Sequence, residues 1–395
     1  MARCLALLGM VATHVLDSHQ PDGDLSFAQA VAGGRASSLF AVLAGVTLAL
    51  MTGGREPVRG RERAARSLGI AVRALVIALI GFVLGDLQTG LAIILTYYGL
   101  LFLLGLPFVG LRAPALFALA GLWLVVAPVV SQLVRPELPP RGFNSPSLVQ
   151  LAEPGRLLSE LAFTGYYPVV PWLAYLLAGM ALGRLDLSRR RVQVWVAGAG
   201  FALAVLATFV SRLATSRPEV LDALVAGGGT VAATGPALLD EIAGGMFGQT
   251  PVGGPWEWLL VVAPHSTTPF DLAQTIGSAL AVIGCCLLLV GVLPKAWTRG
   301  VAIAFGAGTM TLSLYTLHVL MKTPEVPPAE TPASFGWHVA VLVLVGALSV
   351  HAGIRGPLER MVTHLSGRAA ARVRRRDRVR EPGQPGQPDQ PRQPL

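Results

Sequence analysis

Apolar runs of about twenty residues recur along most of the chain, and no other feature limits its fold as strongly. A hydrocarbon core of about 30 Å needs roughly 20 apolar residues to cross it as a helix. The composition agrees, because 53% of the residues are hydrophobic and only 13% are charged. The sequence therefore predicts an all-α, polytopic membrane helix bundle of about ten transmembrane helices. The predicted spans are 4–18, 36–52, 67–85, 91–110, 113–134, 166–185, 192–212, 271–293, 300–320 and 336–354.

The positive charge of the chain is divided between the two sides of the predicted bundle. The net charge is +9, but a nucleic-acid binder needs its cations on one soluble face, so no nucleic-acid partner is expected. When alternate loops are assigned to the cytoplasm, most of the 31 Lys and Arg residues fall on that side, including the cluster from Arg55 to Arg66. The positive-inside rule then predicts a multi-pass protein with both termini in the cytoplasm.

The chain is predicted to divide into a transmembrane domain, 1–365, and a cytoplasmic tail, 366–395. Two outer loops, near 135–165 and 213–270, are punctuated by Pro and Gly and lack helical periodicity. Trp256 and Trp258 in the second loop favour a membrane-surface anchor, with a re-entrant piece as the alternative. The tail is basic and then Gln/Pro-rich, a composition typical of disorder, and anionic membrane lipids would attract its arginines.

Histidines are the first candidates for chemistry, because ionisable side chains near the membrane are costly. Four of the seven fall on the predicted outer side: His14, His19, His265 and His318. Steps of three and four residues place His14 and Asp17 on one face of the first helix, where the carboxylate would raise the basicity of the imidazole. For any one of these histidines, a structural hydrogen-bonding role competes with catalysis. The other three, His338, His351 and His364, are interpreted as structural.

A polar stripe runs along the ninth predicted span, which is otherwise apolar. It consists of Thr311, Tyr315, His318 and Lys322. Such a stripe is expected to face the bundle interior and not lipid.

The segment from Pro264 to Asp271 reads as the start of a helix. Thr268 is the expected N-cap, Pro269 the first helical residue and Asp271 the partner that closes a capping box. His265 has no such local role, and it lies beside a helix N-terminus whose dipole favours an anion. It is therefore the best single catalytic candidate of the sequence, with a loop histidine of no function as the alternative.

Arginines and tyrosines supply candidate binding groups. Arg35, at the outer start of the second span, suits a carboxylate or phosphate, or else snorkels to the interface. Arg73 lies about two turns into the third span and suits the phosphates of a donor that enters from the cytoplasm. Tyr97 and Tyr98, with Tyr315, are candidates for a polar acceptor pocket. Three cysteines, two of them adjacent, give neither a disulfide framework nor metal-ligand spacing, so no metal is expected.

Several stretches, taken as an ordered set, resemble a known family. They are Arg3 to His14, Gly33 to Gly45, the run that begins at Tyr97-Tyr98, Tyr166 to Trp172, His265 to Asp271 and Leu312 to His318. Together they resemble the YeiB-like group of bacterial, especially actinobacterial, membrane proteins, which is related to heparan-α-glucosaminide N-acetyltransferase. The likeness runs from residue 3 to about residue 355.

The resemblance implies a transmembrane acyltransferase in the bacterial plasma membrane. Acyl-CoA, such as acetyl-CoA, would act as the donor from the cytosol, and an extracytoplasmic glycan or lipid would be the acceptor. The relatives place their catalytic histidine in the loop after the first helix, where this chain has Asp24, with His19 nearby. Alternatives are a transporter of a polar or anionic solute and a membrane sensor or scaffold. A homo-oligomer is compatible with the sequence.

Overall fold

The computed structural model describes residues 1–87, 89–142, 145–227, 234–329 and 331–378. Every regular element in these ranges is a helix, as the sequence predicts. The α-helices are α1 (Ala2–Val15), α2 (Phe27–Ala32), α3 (Arg35–Met51), α4 (Gly60–Gly85), α5 (Leu95–Gly105), α6 (Ala113–Val134), α7 (Pro154–Ser159), α8 (Val169–Gly183), α9 (Arg190–Thr215), α10 (Pro218–Gly227), α11 (Gly235–Ala243), α12 (Pro269–Val292), α13 (Lys295–Ala304), α14 (Thr311–Met321), α15 (Phe335–His351) and α16 (Pro357–Arg378).

The number of long membrane spans is smaller than the ten predicted. Within the described ranges, six segments are long and apolar enough to cross a membrane: Phe27–Met51, Gly60–Gly85, Ala113–Glu137, Arg190–Thr215, Pro269–Val292 and Pro332–His351. A seventh exists if Pro154–Thr164 and Val169–Gly183, which meet at a bend of 53°, form one span.

The three remaining predicted spans hold the shorter apolar helices α1, α5 and α14. Interruptions of the helical structure explain why two of these helices are short. A 3₁₀ turn at Gly306–Thr309 separates α13 from α14, and another at Leu106–Gly110 ends α5. Because hydropathy averages over such breaks, the sequence overestimated the lengths of these helices.

The surface of α9 shows why the bundle belongs in lipid. Trp195, Phe201, Leu206, Phe209 and Leu213 are each at least 60% exposed. Monomeric soluble proteins rarely leave so large an apolar surface open to water, whereas hydrocarbon solvates it. The opposite face of α9 packs against α12, where Gly200 and Gly277 bring the two backbones together.

Small residues also hold α3 against α8. A Cβ added to Gly179 would overlap the carbonyl oxygen of Val42, and one added to Gly45 would overlap that of Leu176. Close approach of this kind replaces the hydrophobic driving force that is missing between helices in lipid. The pair fixes α3, which forms one wall of both cavities described below.

The described residues of the outer loop near 213–270, which are 213–227 and 234–270, include helices, in contrast to the prediction. They form α10, α11 and a 3₁₀ turn at Trp256–Leu260, around a small apolar core. Trp258 is fully buried in that core, while Trp256 is 53% exposed. Glycines interrupt the sequence around Leu224 and Leu238. The helical spacing of these buried apolar residues was therefore not recognised.

The loop near 135–165 also contains helical pieces, namely α7 and a π-helical turn at Glu160–Thr164. Arg135 connects this loop to the loop near 213–270. Its buried guanidinium donates to Thr250 Oγ1 at 2.7 Å and to Gln249 Oε1 at 3.1 Å. The two segments therefore form one cap over the same end of the bundle.

The predicted disordered tail is partly helical. Helix α16 continues through Arg378 and packs against α4, where Gly69 meets Ser366. Arg374 forms an ion pair with Glu62 at 2.6 Å, and Arg66 binds the same carboxylate. Packing against α4 and the ion pair of Arg374 with Glu62 therefore stabilise residues 366–374 as a helix. The predicted Gln/Pro-rich disorder of 379–395 lies outside the described residues.

Candidate active site

Three histidines form a continuous hydrogen-bonded row at one end of the bundle. His14 Nδ1 lies 3.1 Å from His318 Nε2, and His318 Nδ1 lies 3.0 Å from His338 Nδ1. The row joins the last turn of α1, the last turns of α14 and the first turn of α15. His318 is fully buried and His338 is 2% exposed. Two histidines that are distant in the sequence thus orient the imidazole of His14.

The expected pairing of His14 with Asp17 is wrong. Helix α1 ends at Val15, and Leu16 has an extended backbone, so Asp17 does not continue the helical face. Asp17 is exposed, and His14 Nδ1 is paired with His318. The helical spacing used for the prediction stops one residue after His14.

The polar stripe of α14 faces the interior, as predicted. Tyr315 is 4% exposed, His318 0% and Lys322 6%. Lys322 Nζ donates to the carbonyl oxygen of His14 at 2.7 Å, which fastens the end of α1 to α14. At the other end of α14, the Glu359 carboxylate accepts from the backbone N–H groups of Leu312 and Ser313.

His265 lies in a strained turn that precedes α12. Its φ is +61°, and that of Thr267 is +55°. Residues other than glycine rarely adopt this left-handed region. The turn is held by hydrogen bonds: Thr267 N–H donates to Asp271 Oδ2 at 3.0 Å, and Thr267 Oγ1 donates to Gly248 O at 2.9 Å. Strained backbone of this kind clusters at active sites and ligand clamps.

The helix start at α12 agrees with the sequence except in one detail. Thr268 is the N-cap and accepts from Asp271 N–H at 3.1 Å, and Pro269 is the first helical residue. The Asp271 carboxylate binds the N–H of Thr267 and not that of Thr268. It therefore stabilises the strained turn beside His265.

The imidazole of His265 contacts two tyrosine rings. Its centroid lies 4.9 Å from that of Tyr166 and 5.6 Å from that of Tyr167. Burial lowers the pKa of His265 to about 4, so the ring is neutral near pH 7. A neutral imidazole offers a substrate one donor and one acceptor.

His14 and His265 line the same cavity, which we call the histidine cavity. It has a volume of about 180 Å³ and is lined by α1, α2, the start of α3 and the cap. The backbone of Gly33 and Gly34, the ring of Tyr166 and the Gly244–Phe247 segment complete its walls. Because Nδ1 of His14 is already paired with His318, Nε2 is the nitrogen left for a substrate.

A second cavity, the arginine cavity, lies further toward the start of α1. Its volume is about 130 Å³, and Arg3 and Arg73 are its charged lining residues. Arg3 donates to Thr47 Oγ1. Among the described residues, no carboxylate lies within ion-pair distance of either guanidinium. Tyr98 and Tyr315 line the same space.

Met10 lines both cavities. It lies one helical turn before His14 and two turns after Arg3, so α1 passes from one cavity to the other. The rise of an α-helix separates Arg3 from His14 by about 16 Å along its axis. The two cavities are therefore neighbouring chambers with a side chain between them.

The other sequence candidates lie outside these chambers. Tyr97 is buried behind them and accepts from Tyr166 N–H at 3.3 Å. Arg35 donates to the carbonyl oxygen of Ala30 at 2.8 Å, and Gln274, with its amide oxygen turned toward Arg35, accepts from Nε at 2.8 Å. Neither side chain lines the arginine cavity or the histidine cavity. His19 pairs with Ser18 in the loop after α1.

His338 is the residue that sequence reasoning missed. It was interpreted as structural because it has no polar neighbour at helical spacing on its own span. Its partner, His318, belongs to the preceding helix, and nothing in a single sequence marks that contact. Within the described part of the chain, no group of three His, Cys, Asp or Glu side chains is arranged to hold a metal ion.

Comparison with known proteins identifies the family of the chain. No curated protein matches the chain. Residues 1–214 match the profile of the family described as heparan-alpha-glucosaminide N-acetyltransferase, catalytic. The match covers α1 to α9 and therefore contains His14, Arg73 and Tyr98, but not His265 or His318. More than half of the chain lies within the match, and the chain belongs to the heparan-alpha-glucosaminide N-acetyltransferase catalytic family of membrane acetyltransferase-type proteins.

Proposed function

We propose that the protein transfers an acyl group, such as acetyl, from cytosolic acyl-CoA to a hydroxyl or amine of a glycan or lipid on the other side of the membrane. The observation that carries the proposal is the pair of adjoining cavities along α1. One presents two arginines and the other presents two histidines. Guanidinium groups suit the phosphates of a donor, and imidazoles suit the removal of a proton from an acceptor.

The arginine cavity is assigned to the donor. Arg3 and Arg73 form no ion pair within 4 Å among the described residues, although the Glu359 carboxylate interacts with both at longer range. Both guanidiniums line the cavity and can bind an anion there. Tyr98 Oη donates to Ser37 O, and Tyr315 Oη accepts from Ile94 N–H at 3.5 Å. Both tyrosine rings line the cavity wall, while the arginines attract the donor.

The histidine cavity is assigned to the acceptor, with His14 as the general base. A catalytic base is normally oriented by a third group, and His318 holds His14 in this way. The acceptor proton passes to His14 Nε2, the acceptor oxygen or nitrogen bonds to the acyl carbon, and the thioester C–S bond breaks. The CoA thiolate leaves toward the arginine cavity and takes a proton from solvent there.

His265 is assigned to binding of the acceptor. Its ring packs on Tyr166 and Tyr167, and the residue lines the histidine cavity. This differs from the sequence-based preference for His265 as the base. The change rests on the hydrogen-bonded partner that His14 has and His265 lacks among the described residues.

Transfer of label tests the proposal. Purified protein in vesicles is given acetyl-CoA labelled in the acetyl group together with a membrane extract that contains glycans and lipids. The expected result is labelled acceptor and an equal amount of free CoA. Absence of both products, with the protein folded, would contradict the proposal.

A transporter is the second candidate, because one apolar segment is interrupted. The bend of 53° between Pro154–Thr164 and Val169–Gly183 places Tyr166 and Tyr167 at the histidine cavity. Interrupted helices of this kind form solute sites in transporters. A transporter would accumulate an unmodified solute in the same vesicles and release no CoA.

A further inference from the structure

The row of imidazoles extends beyond what a general base needs. A single partner suffices to orient His14, yet His318 is itself paired with His338. Neither His318 nor His338 lines the arginine cavity or the histidine cavity. Burying two further imidazoles costs free energy, so we looked for a function that requires both of them.

The hydrogen bonds allow one arrangement of protons when His14 acts as the base. A neutral imidazole has one donor and one acceptor nitrogen. If Nε2 of His14 accepts the substrate proton, its Nδ1 carries hydrogen and donates to His318 Nε2. His318 Nδ1 then carries hydrogen and donates to His338 Nδ1. The planes of the first two rings differ by 10°, which suits a hydrogen bond that lies in both planes.

The surroundings oppose a positive charge that stays on the row. His318 and His338 are buried, and a buried charge without a paired partner is costly. Among the described residues, no carboxylate forms a hydrogen bond or ion pair with any of the three imidazoles. An imidazolium in this position is therefore short-lived, and the proton has to move on.

The far end of the row lies near an exposed loop. His338 is in the first turn of α15. Residues 324–329 and 331–333, which precede that turn, are exposed. A proton that reaches His338 is thus one helical turn from an exposed loop.

We propose that His318 and His338 form a proton relay that carries the proton taken by His14 away from the acceptor site. The proposal rests on the proposed acyl transfer. As His14 Nε2 accepts the acceptor proton, the hydrogen on His14 Nδ1 moves to His318 Nε2. The hydrogen on His318 Nδ1 moves to His338 Nδ1, and His338 releases its Nε2 hydrogen to water. The row is neutral before and after this passage, and each imidazole changes to its other tautomer. His318 and His338 act through His14 and are positioning and relay residues.

Glutamine variants separate a relay from a structural role. The glutamine side chain of His318→Gln or His338→Gln still forms hydrogen bonds but does not pass a proton. We expect kcat to fall roughly tenfold to a hundredfold, with KM for the donor unchanged. In mixtures of light and heavy water, the curved dependence of kcat in the wild type becomes linear, because one proton moves instead of several. His351→Gln, on the same helix α15, is the matched control and keeps wild-type kinetics. Wild-type kcat and curvature in both glutamine variants would overturn the relay.

A spectroscopic measurement decides the relay independently of acyl transfer. Protein labelled with ¹⁵N-histidine is reconstituted in lipid, and nitrogen spectra are recorded for the wild type and His318→Gln. The expected spectrum contains neutral, N–H···N-coupled imidazoles, and His318→Gln removes the coupling of His14. Imidazolium signals or uncoupled nitrogens for the row at neutral pH would overturn the relay, even where acyl transfer is observed. Absence of acyl transfer with the coupling intact would overturn the proposed function alone.

Discussion

The two cavities along α1 differ in what their polar groups are able to do. Arg3 and Arg73 carry a fixed charge, while His14 and His265 exchange protons. The guanidiniums form no ion pair within 4 Å in the described ranges, whereas the imidazole of His14 is held by a second histidine. A fixed charge binds an anion, and an oriented imidazole moves a proton. Met10 lies between the two cavities. The donor is therefore assigned to the arginine cavity and the acceptor to the histidine cavity.

The largest expected effect is the loss of His14. In His14→Ala the acceptor keeps its proton in the histidine cavity, and we expect kcat for labelled transfer to fall by about 10²- to 10⁴-fold. Donor binding in the arginine cavity is retained, which equilibrium binding of acyl-CoA measures. His19→Ala is the control, because His19 lies in the loop and bonds to Ser18. Equal losses in both variants would contradict the role of His14.

Removal of a donor-side charge has a different signature. Arg73→Gln is expected to raise KM for acyl-CoA by about tenfold to a hundredfold, since a charged hydrogen bond contributes about 1.5–3 kcal/mol. The kcat changes less, because the acceptor side is intact. Arg112→Gln is the control: it lines a separate depression with Arg55 and Arg59. A rise in KM of the same size there would mean that general charge, and not the arginine cavity, attracts the donor.

Packing of the shared wall affects both cavities. Gly179→Ala forces α8 away from α3, because its Cβ overlaps the carbonyl oxygen of Val42. Overpacking of this kind costs about 1–3 kcal/mol or more. We expect a lower unfolding temperature in detergent and a loss of donor and acceptor functions together. Gly198→Ala in α9, whose Cβ meets open space, should be neutral. A stable Gly179→Ala variant would show that α3 and α8 do not set the wall.

The smallest expected effect is a pH dependence of stability from His265. A histidine in the unfolded chain has a pKa of about 6.5, and burial lowers that of folded His265 to about 4. Between these values the unfolded state binds more protons, so the contribution to stability is complete above about pH 6.5 and is lost as the pH falls toward 4. Unfolding temperatures measured from about pH 7 to pH 4.5 should fall less steeply in His265→Gln than in the wild type. His351→Gln should keep the wild-type slope, and identical slopes in all three proteins would contradict the burial of a neutral His265.

Local patterns predicted much of this molecule. The helical class follows from apolar runs, and the inward stripe of α14 follows from helical spacing of Tyr315, His318 and Lys322. The N-cap at Thr268 follows from its side chain and from Pro269. Each of these depends on neighbours within about four residues, which is the range that sequence periodicity reports.

Contacts between helices were outside that range. The break at Gly306–Thr309 and the end of α1 at Val15 depend on backbone geometry that hydropathy does not detect. The pairing of His318 with His338 joins two helices through space, and the core around Trp258 assembles from three separated segments. The sequence therefore placed the polar groups along their own helices but did not identify their partners.

The most direct test of the two cavity assignments is to determine on which side of the membrane the donor is used and on which side the acceptor is labelled. The protein is reconstituted in sealed vesicles, its orientation is fixed by a tag that a protease reaches from one side, and labelled acetyl-CoA is added to one side at a time. We predict that acetyl-CoA supplied to the face carrying Arg55 and Arg189 labels an acceptor enclosed on the opposite face, and that acetyl-CoA on the opposite face labels nothing. Label on an acceptor on the same side as the donor would contradict the assignment of donor and acceptor to opposite ends of α1.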